Sequence, residues 1–243
     1  MPSSLAAVAA VTVIFVHGAF ADGSSWNKVI ANLQKKSIDV ISVQNPLASL
    51  DGDVAATRRA IEAAKGPVIL VGHSWAGAVI TQAGDDPKVK ALVYVAAFAP
   101  DVGMSVNDLG KDSPPPVWLK TLQISKDGYV TLPARSIADD FAPDLPKSQA
   151  AILAATQGPT AAHAFDDKIS VAAWREKPSW YIVAKQDRMI SPDAELGMAH
   201  MMKAHITEVN SSHVVMLSHP DRVTAVIEDA LANVSLSRTA NAR

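Results

Sequence analysis

Six short runs along the chain are almost continuously apolar: VTVIFV (11–16), DVISV (39–43), VILVG (68–72), ALVYVA (91–96), WYIVA (180–184) and ITEV (206–209). A strand with one wet face alternates apolar and polar residues, whereas a parallel strand covered on both faces does not. Helical patterns fill the gaps. Trp26, Val29, Ile30 and Leu33 fall at i, i+3, i+4 and i+7, and Val223, Val226, Ile227, Leu231 and Val234 make a similar stripe near the C-terminus. Ser191-Pro192 reads as an N-cap followed by proline in the first helical turn. Alternating strands and helices predict an α/β fold, a doubly wound and mostly parallel sheet of about six strands with right-handed crossovers.

The rhythm breaks over residues 101–169, which carry SPPP (113–116), Pro133, Pro143, Pro146 and Pro159 and no convincing buried strand. Irregular stretches of this length are uncommon unless they serve a function. The expectation is a small cap insertion over the C-terminal edge of the sheet, with 1–100 and 170–243 as the two parts of the core domain. No internal repeat or low-complexity tract is evident.

The totals add limits. With 243 residues, 49% apolar and only 19% charged, the chain can bury a sizeable core and is not disordered. A net charge of −2 gives no electrostatic reason to expect a nucleic-acid partner. There is no cysteine, hence no disulfide and no thiolate chemistry. The N-terminal stretch SSLAAVAAVTVIFV is 14 residues long and runs into the first strand. It falls short of the roughly 20 apolar residues a membrane helix needs, and no basic residue precedes it. A cytoplasmic chain is expected. Residues 6–10 (AAVAA) read otherwise as the remnant of a leader, which would place the protein in the periplasm or outside the cell.

Between the third strand and the helix after it stands Gly72-His73-Ser74-Trp75-Ala76, with Gly77 next. A strand that enters a helix with almost no loop forces its turn residue into a strained conformation and needs small neighbours. In return that side chain stands at a helix N-terminus among backbone N–H donors. This is the G-x-S-x-G nucleophile pattern, with alanine in place of the final glycine. A serine hydroxyl needs a base. Of the seven histidines, His213 in VNSSHVVML follows the last strand. His17 and His73 sit beside glycines in tight turns and read as backbone-positioning residues, and His163, His200, His205 and His219 as surface or helix positions. Asp187 in AKQDRMIS follows the fifth run and is the candidate to orient the base. Ser74, Asp187 and His213 thus follow separate strands, in the chain order Ser, Asp, His. The oxyanion donors are expected to be the N–H of Trp75 and that of Ala19 or Phe20, in the loop after the first strand.

These segments, VTVIFVHGAF, GHSWAG, YIVAKQD and SSHVVMLSHP, resemble the α/β-hydrolase superfamily over most of the chain. The segments HGAFADGSSW and SHVVMLSHP are similar to the branch that holds the salicylate methylesterase and hydroxynitrile lyase families and many bacterial esterases. The resemblance implies the α/β-hydrolase fold, Ser74 as nucleophile, His213 as base, Asp187 as orienting acid, and Ala19 and Trp75 as oxyanion donors. Lyase members carry lysine beside the catalytic histidine, and this chain has Val214. A dehalogenase would need aspartate where Ser74 stands.

The expected activity is hydrolysis of carboxylic esters of small apolar substrates through an acyl-enzyme, with no metal and no cofactor. Phe20, Trp75, Trp118, Leu122, Phe141 and Phe165 are the expected substrate-binding residues, and a bulky Trp75 favours small acyl groups. Leu119 could project from the cap beside them, and Trp174 and Trp180 read as core. The rival readings are a slow-turnover small-ligand receptor and a lyase or cofactor-free oxygenase on the same scaffold. A small-molecule ester is the expected partner, with neither nucleic acid nor membrane, in a monomer or homodimer.

Overall fold

The computed structural model describes residues 10–111 and 114–241, with side chains to Leu236. The possible leader remnant (residues 6–9 of it) and Ser113 of the SPPP run lie outside the described residues. All six apolar runs are strands: β1 (Thr12–Val16), β2 (Asp39–Val43), β3 (Val68–Ser74), β4 (Val89–Ala97), β8 (Ser179–Ala184) and β9 (His205–Val209). They form one sheet of order β2-β1-β3-β4-β8-β9, and every pairing in it is parallel. The central strands are the most apolar because helices cover both of their faces: every residue of β1 and β3 is buried. Burial of a valine, leucine or isoleucine there contributes about 1.5–3 kcal/mol. The outer strands β2 and β9 are mostly half-buried or exposed.

The helices follow the stripes. A 3-10 turn (Gly23–Trp26) leads into α1 (Asn27–Gln34), which buries Val29 and Leu33. Then come α2 (Leu50–Ala63) and α3 (Ala76–Ala83). In the second half, α7 (Pro192–Met201) starts at Ser191, whose hydroxyl accepts the Ala194 N–H at 3.2 Å. The short α8 (Val215–Ser218) precedes α9 (Pro220–Asn241), which buries Val223, Val226, Ile227 and Val234.

Between β4 and β8 the structure differs from the sequence reading. This segment has a three-stranded antiparallel sheet, β5 (Gln123–Ile124), β6 (Tyr129–Thr131) and β7 (Thr160–Ala161). Strands of two or three residues are too short to show a period. The β5–β6 turn relies on Gly128, at φ +83°, where a side chain would be strained. The segment also holds the single turns α4 (Val106–Leu109) and α5 (Ala134–Ser136), a π-turn (Ile137–Phe141) and α6 (Lys147–Thr156). Among the described residues no helix is long and apolar enough to cross a membrane.

Candidate active site

After β1 the chain moves to β2 on one side, and β3 lies on the other. Connections therefore diverge at the carboxyl ends of β1 and β3, which opens the crevice where doubly wound sheets bind ligands. Ser74 is the last residue of β3 and has φ +53°. A non-glycine residue in this left-handed region costs about 1–3 kcal/mol unless its surroundings hold it there. The surroundings are tight. A Cβ on Gly18, in the loop after β1, would lie 2.8 Å from Ser74 Cβ and 2.9 Å from the His73 carbonyl oxygen. On the helix side, a Cβ on Gly77 would lie 2.0 Å from the Phe98 carbonyl oxygen. The close approach that the missing glycine at position 76 would serve is thus made one residue later.

Asp187 and His213 come together at the ends of β8 and β9. The Lys185 N–H donates to the Val209 carbonyl at 2.9 Å and the Gln186 N–H to the Ser211 carbonyl at 3.0 Å, so pairing continues into both loops. Asp187 Oδ1 accepts the N–H groups of Met189 (2.6 Å) and Ile190 (3.0 Å). Its Oδ2 lies 2.5 Å from His213 Nδ1, and both side chains are buried. A carboxylate only accepts, so Nδ1 carries a proton, and in a neutral ring the lone pair is then on Nε2.

His73 ties this pair to Ser74. Its ring centroid is 4.6 Å from that of His213, and its Nε2–H donates to the His213 carbonyl oxygen at 3.0 Å. Burial above all, and then the neighbouring His213, hold the His73 imidazole well below its ordinary pKa, so it stays neutral. Trp26 and Phe141 pack edge-on against His73, and Phe141 lies 5.2 Å from the His213 ring. Among the described residues Ser74 Oγ makes no hydrogen bond to His213, and 8% of the residue is exposed.

The loop after β1 is held by His17. Its Nε2 accepts the Asn45 N–H at 2.9 Å, which leaves Nδ1–H to donate to the Gly18 carbonyl oxygen at 2.9 Å. Burial lowers this imidazole too. Ala19 and Phe20 follow, both buried, with Phe20 at φ +58°. Among the described residues their N–H groups donate to no protein acceptor.

The expected substrate-binding residues fall into separate groups. Phe141 stands beside His213. Phe20 meets Trp118 edge-on at 6.2 Å, and the Trp118 indole N–H donates to the Met189 carbonyl at 3.1 Å, two residues past Asp187. Trp75 is sunk in the core, 1% exposed, its indole N–H donating to Asp53 Oδ2 at 2.8 Å and its ring edge-on to Phe165 at 5.3 Å. Leu122 is half-buried against the core, whereas Leu119 is exposed. Trp174 and Trp180 are buried. A cavity of about 630 Å³ lined by Pro46, Ile124, Tyr129 and Pro159 among others touches none of the expected site residues.

The sequence reading missed three acidic side chains around this centre. Asp53, on α2, accepts from Trp75 and, at 2.8 Å, from the Leu47 N–H. Asp144, from the segment between β4 and β8, binds the loop that carries His213. Glu195, on α7, is buried behind Asp187. Of the three, only Glu195 carried a local signal, the capped helix start at Ser191.

Residues 13–226 match the family model described as "Alpha/beta hydrolase family". The chain belongs to the alpha/beta hydrolase family. This alpha/beta hydrolase is 25% identical over 244 residues to "Probable hydrolase R7" from a Phoma species, covering 89% of this chain and 96% of that protein. A "Carbendazim hydrolyzing esterase" from a Nocardioides species is 33% identical over 117 residues, covering 42% of this chain and 48% of the esterase. Among solved structures, an extracellular alpha/beta-hydrolase from a Paenibacillus species superposes with a TM-score of 0.76 at 21% identity, covering 90% of this chain and 98% of that one. Tomato methylketone synthase I gives a TM-score of 0.79 at 15% identity, covering 93% and 99%. At such identities the superpositions show the fold alone.

Proposed function

We propose that this alpha/beta hydrolase cleaves carboxylic esters of small apolar substrates with Ser74 as nucleophile, His213 as base and Asp187 as the group that orients the base. The observation that carries the reading is the buried Asp187–His213 hydrogen bond, packed through His73 against a serine in a strained backbone conformation. The esterase name of the Nocardioides relative supports it.

In this mechanism Ser74 Oγ attacks the ester carbonyl carbon as His213 Nε2 takes its proton. The carbonyl π electrons move to oxygen, which accepts hydrogen bonds from the Trp75 N–H and that of Ala19 or Phe20. Each such donor contributes about 3–4 kcal/mol when preorganised. The tetrahedral intermediate collapses, the alcohol leaves with the proton from His213, and Ser74 keeps the acyl group. Water then attacks, again losing its proton to Nε2, and the acid departs as Ser74 Oγ recovers that proton. Hydroxyl–imidazole bonds of this kind are often long in the empty enzyme and tighten around substrate.

The test is labelling with a fluorophosphonate probe and mass mapping of the modified residue, alongside assays of p-nitrophenyl acetate. The label should sit on Ser74, and Ser74→Ala should lose about 10⁶-fold in kcat. A label elsewhere, or unchanged turnover by the variant, overturns the assignment.

A further inference from the structure

Two buried carboxyl groups near this centre take no part in the mechanism above. Asp53 is satisfied by two N–H donors. Glu195 is not. It is 0% exposed, its Oε2 accepts only the Ala184 N–H at 3.0 Å, and its Oε1 has no donor among the described residues. The Ala184 carbonyl in turn accepts the Asp187 N–H at 3.1 Å, and the neighbouring side chain that acts on Glu195 is that of Asp187, another carboxyl. Two adjacent carboxylates shielded from water repel strongly, and such pairs settle by keeping one proton.

The hydrogen bonds decide which member keeps it. Asp187 accepts three N–H donors, from His213, Met189 and Ile190, and each favours its anion. Glu195 accepts one. We propose that Glu195 is a positioning residue, held as the neutral acid, whose O–H donates to Asp187 and fixes that carboxylate against His213. Its proton supplies the partner that Oε1 otherwise lacks. The Asp–His pair then faces one negative charge, not two.

Burial, and after it the adjacent Asp187 carboxylate, push the Glu195 carboxyl far above the ordinary range. The other titratable group beside it is Tyr181 on β8, whose hydroxyl donates to the Ala97 carbonyl. Burial first, and then Glu195, push that hydroxyl upward, so it too stays neutral. The effect on catalysis rests on the triad reading, whereas the protonation of Glu195 does not.

Carbon-13 NMR of the whole enzyme, labelled at the glutamate side-chain carboxyl, reads the proton directly. The chain has four other glutamates, Glu62, Glu176, Glu208 and Glu228, none of them buried. One signal should stay at the neutral-acid position up to about pH 9 and vanish in Glu195→Gln. If all glutamate signals of the wild-type enzyme are ionised at neutral pH, the proposal is wrong, whatever the variants do.

The kinetic test compares two variants. Glu195→Met removes the donor and should lower kcat about tenfold with KM unchanged, while the acid limb of kcat/KM moves to higher pH. Glu195→Gln keeps a neutral donor and should return the acid limb to its wild-type position. A merely structural role would lower stability without moving that limb. An acid limb displaced downward in Glu195→Gln would mean that a negative charge had been removed, and would overturn the proposal. Should Ser74→Ala retain activity, the triad reading falls, and the NMR signal still decides the state of Glu195.

Discussion

Asp144 Oδ2 accepts the backbone N–H of Ser212 at 2.9 Å, which joins the segment between β4 and β8 to the residue before His213. Its Oδ1 accepts the Ser212 hydroxyl at 2.5 Å, and the Ser211 hydroxyl reaches Oδ2 at 3.2 Å. Burial raises the Asp144 carboxyl, but the hydrogen bonds from Ser212 and its neighbours outweigh this and hold it below the ordinary carboxylate range. The clamp is therefore intact throughout the neutral pH range. Asp144→Ala frees the loop that aims the imidazole, and misplacement by about 1 Å can cost up to about 100-fold in rate. The expected outcome is a loss of kcat of about tenfold or more, with fluorophosphonate labelling of Ser74 slowed in proportion. Equal labelling rates would show that the loop needs no clamp.

Gly18 is a second point of control. A methyl group there meets Ser74 Cβ at 2.8 Å and the His73 carbonyl at 2.9 Å, neither of which is the end of a flexible side chain. Gly18→Ala should cost about 1–3 kcal/mol in urea unfolding, and it should impair hydrolysis more than stability alone explains. Wild-type kcat in this variant would mean that the loop yields without disturbing the serine.

The pattern around Ser74 places alanine where glycine is usual, and the packing shows why that is tolerated. The glycine that matters is Gly77, whose added Cβ would stand 2.0 Å from the Phe98 carbonyl. Gly77→Ala should therefore destabilise the protein severely, by about 3 kcal/mol or more. Ala76→Gly should lower the unfolding free energy by no more than about 1 kcal/mol, the ordinary helix penalty. Comparison of the two midpoints checks the ranking.

Protonation of buried histidines sets a pH dependence of stability. His73 and His17 are held below the ordinary 6.5 in the folded protein. Below that pH the unfolded chain binds protons that the native state refuses, so this contribution to stability is lost as pH falls. Asp53 acts in the opposite direction. Burial raises its carboxyl to about 6 from the ordinary 3.8, so proton uptake over that interval favours the folded state. Replacement of His73 by Gln isolates one histidine. Its stability should fall less steeply than wild type below pH 6.5, by up to about 1.4 kcal/mol per pH unit. Parallel slopes in urea titrations would contradict the buried neutral imidazole.

Much of this was legible in the chain because the strands are buried on both faces. Continuous runs such as VILVG mark a central parallel strand without any knowledge of its partners, and the residues after such strands are the ones the topology gathers at one edge. Ser74, Asp187 and His213 could be chosen on that ground. Asp144, Asp53 and Glu195 could not, since an acidic residue in a loop or on a helix reads as solvated until its partner is known. Asp144 meets its partner 68 positions away, and Asp53 reaches Trp75 over 22. Trp75 likewise read as pocket-facing, and only the hydrogen bond to Asp53 reveals where its ring goes. The strands β5 to β7 were hidden by brevity.

The order in which the sheet is filled has a consequence for synthesis. Ser74 ends the third strand of the polypeptide, whereas the acid and the imidazole wait on the last two, more than a hundred residues further along. A ribosome exposes the hydroxyl well before the residues proposed to activate it have left the exit tunnel, and domains fold from the N-terminal end as they emerge. Under the triad proposed above, fragments that stop short of β9 therefore carry a serine that lacks its base.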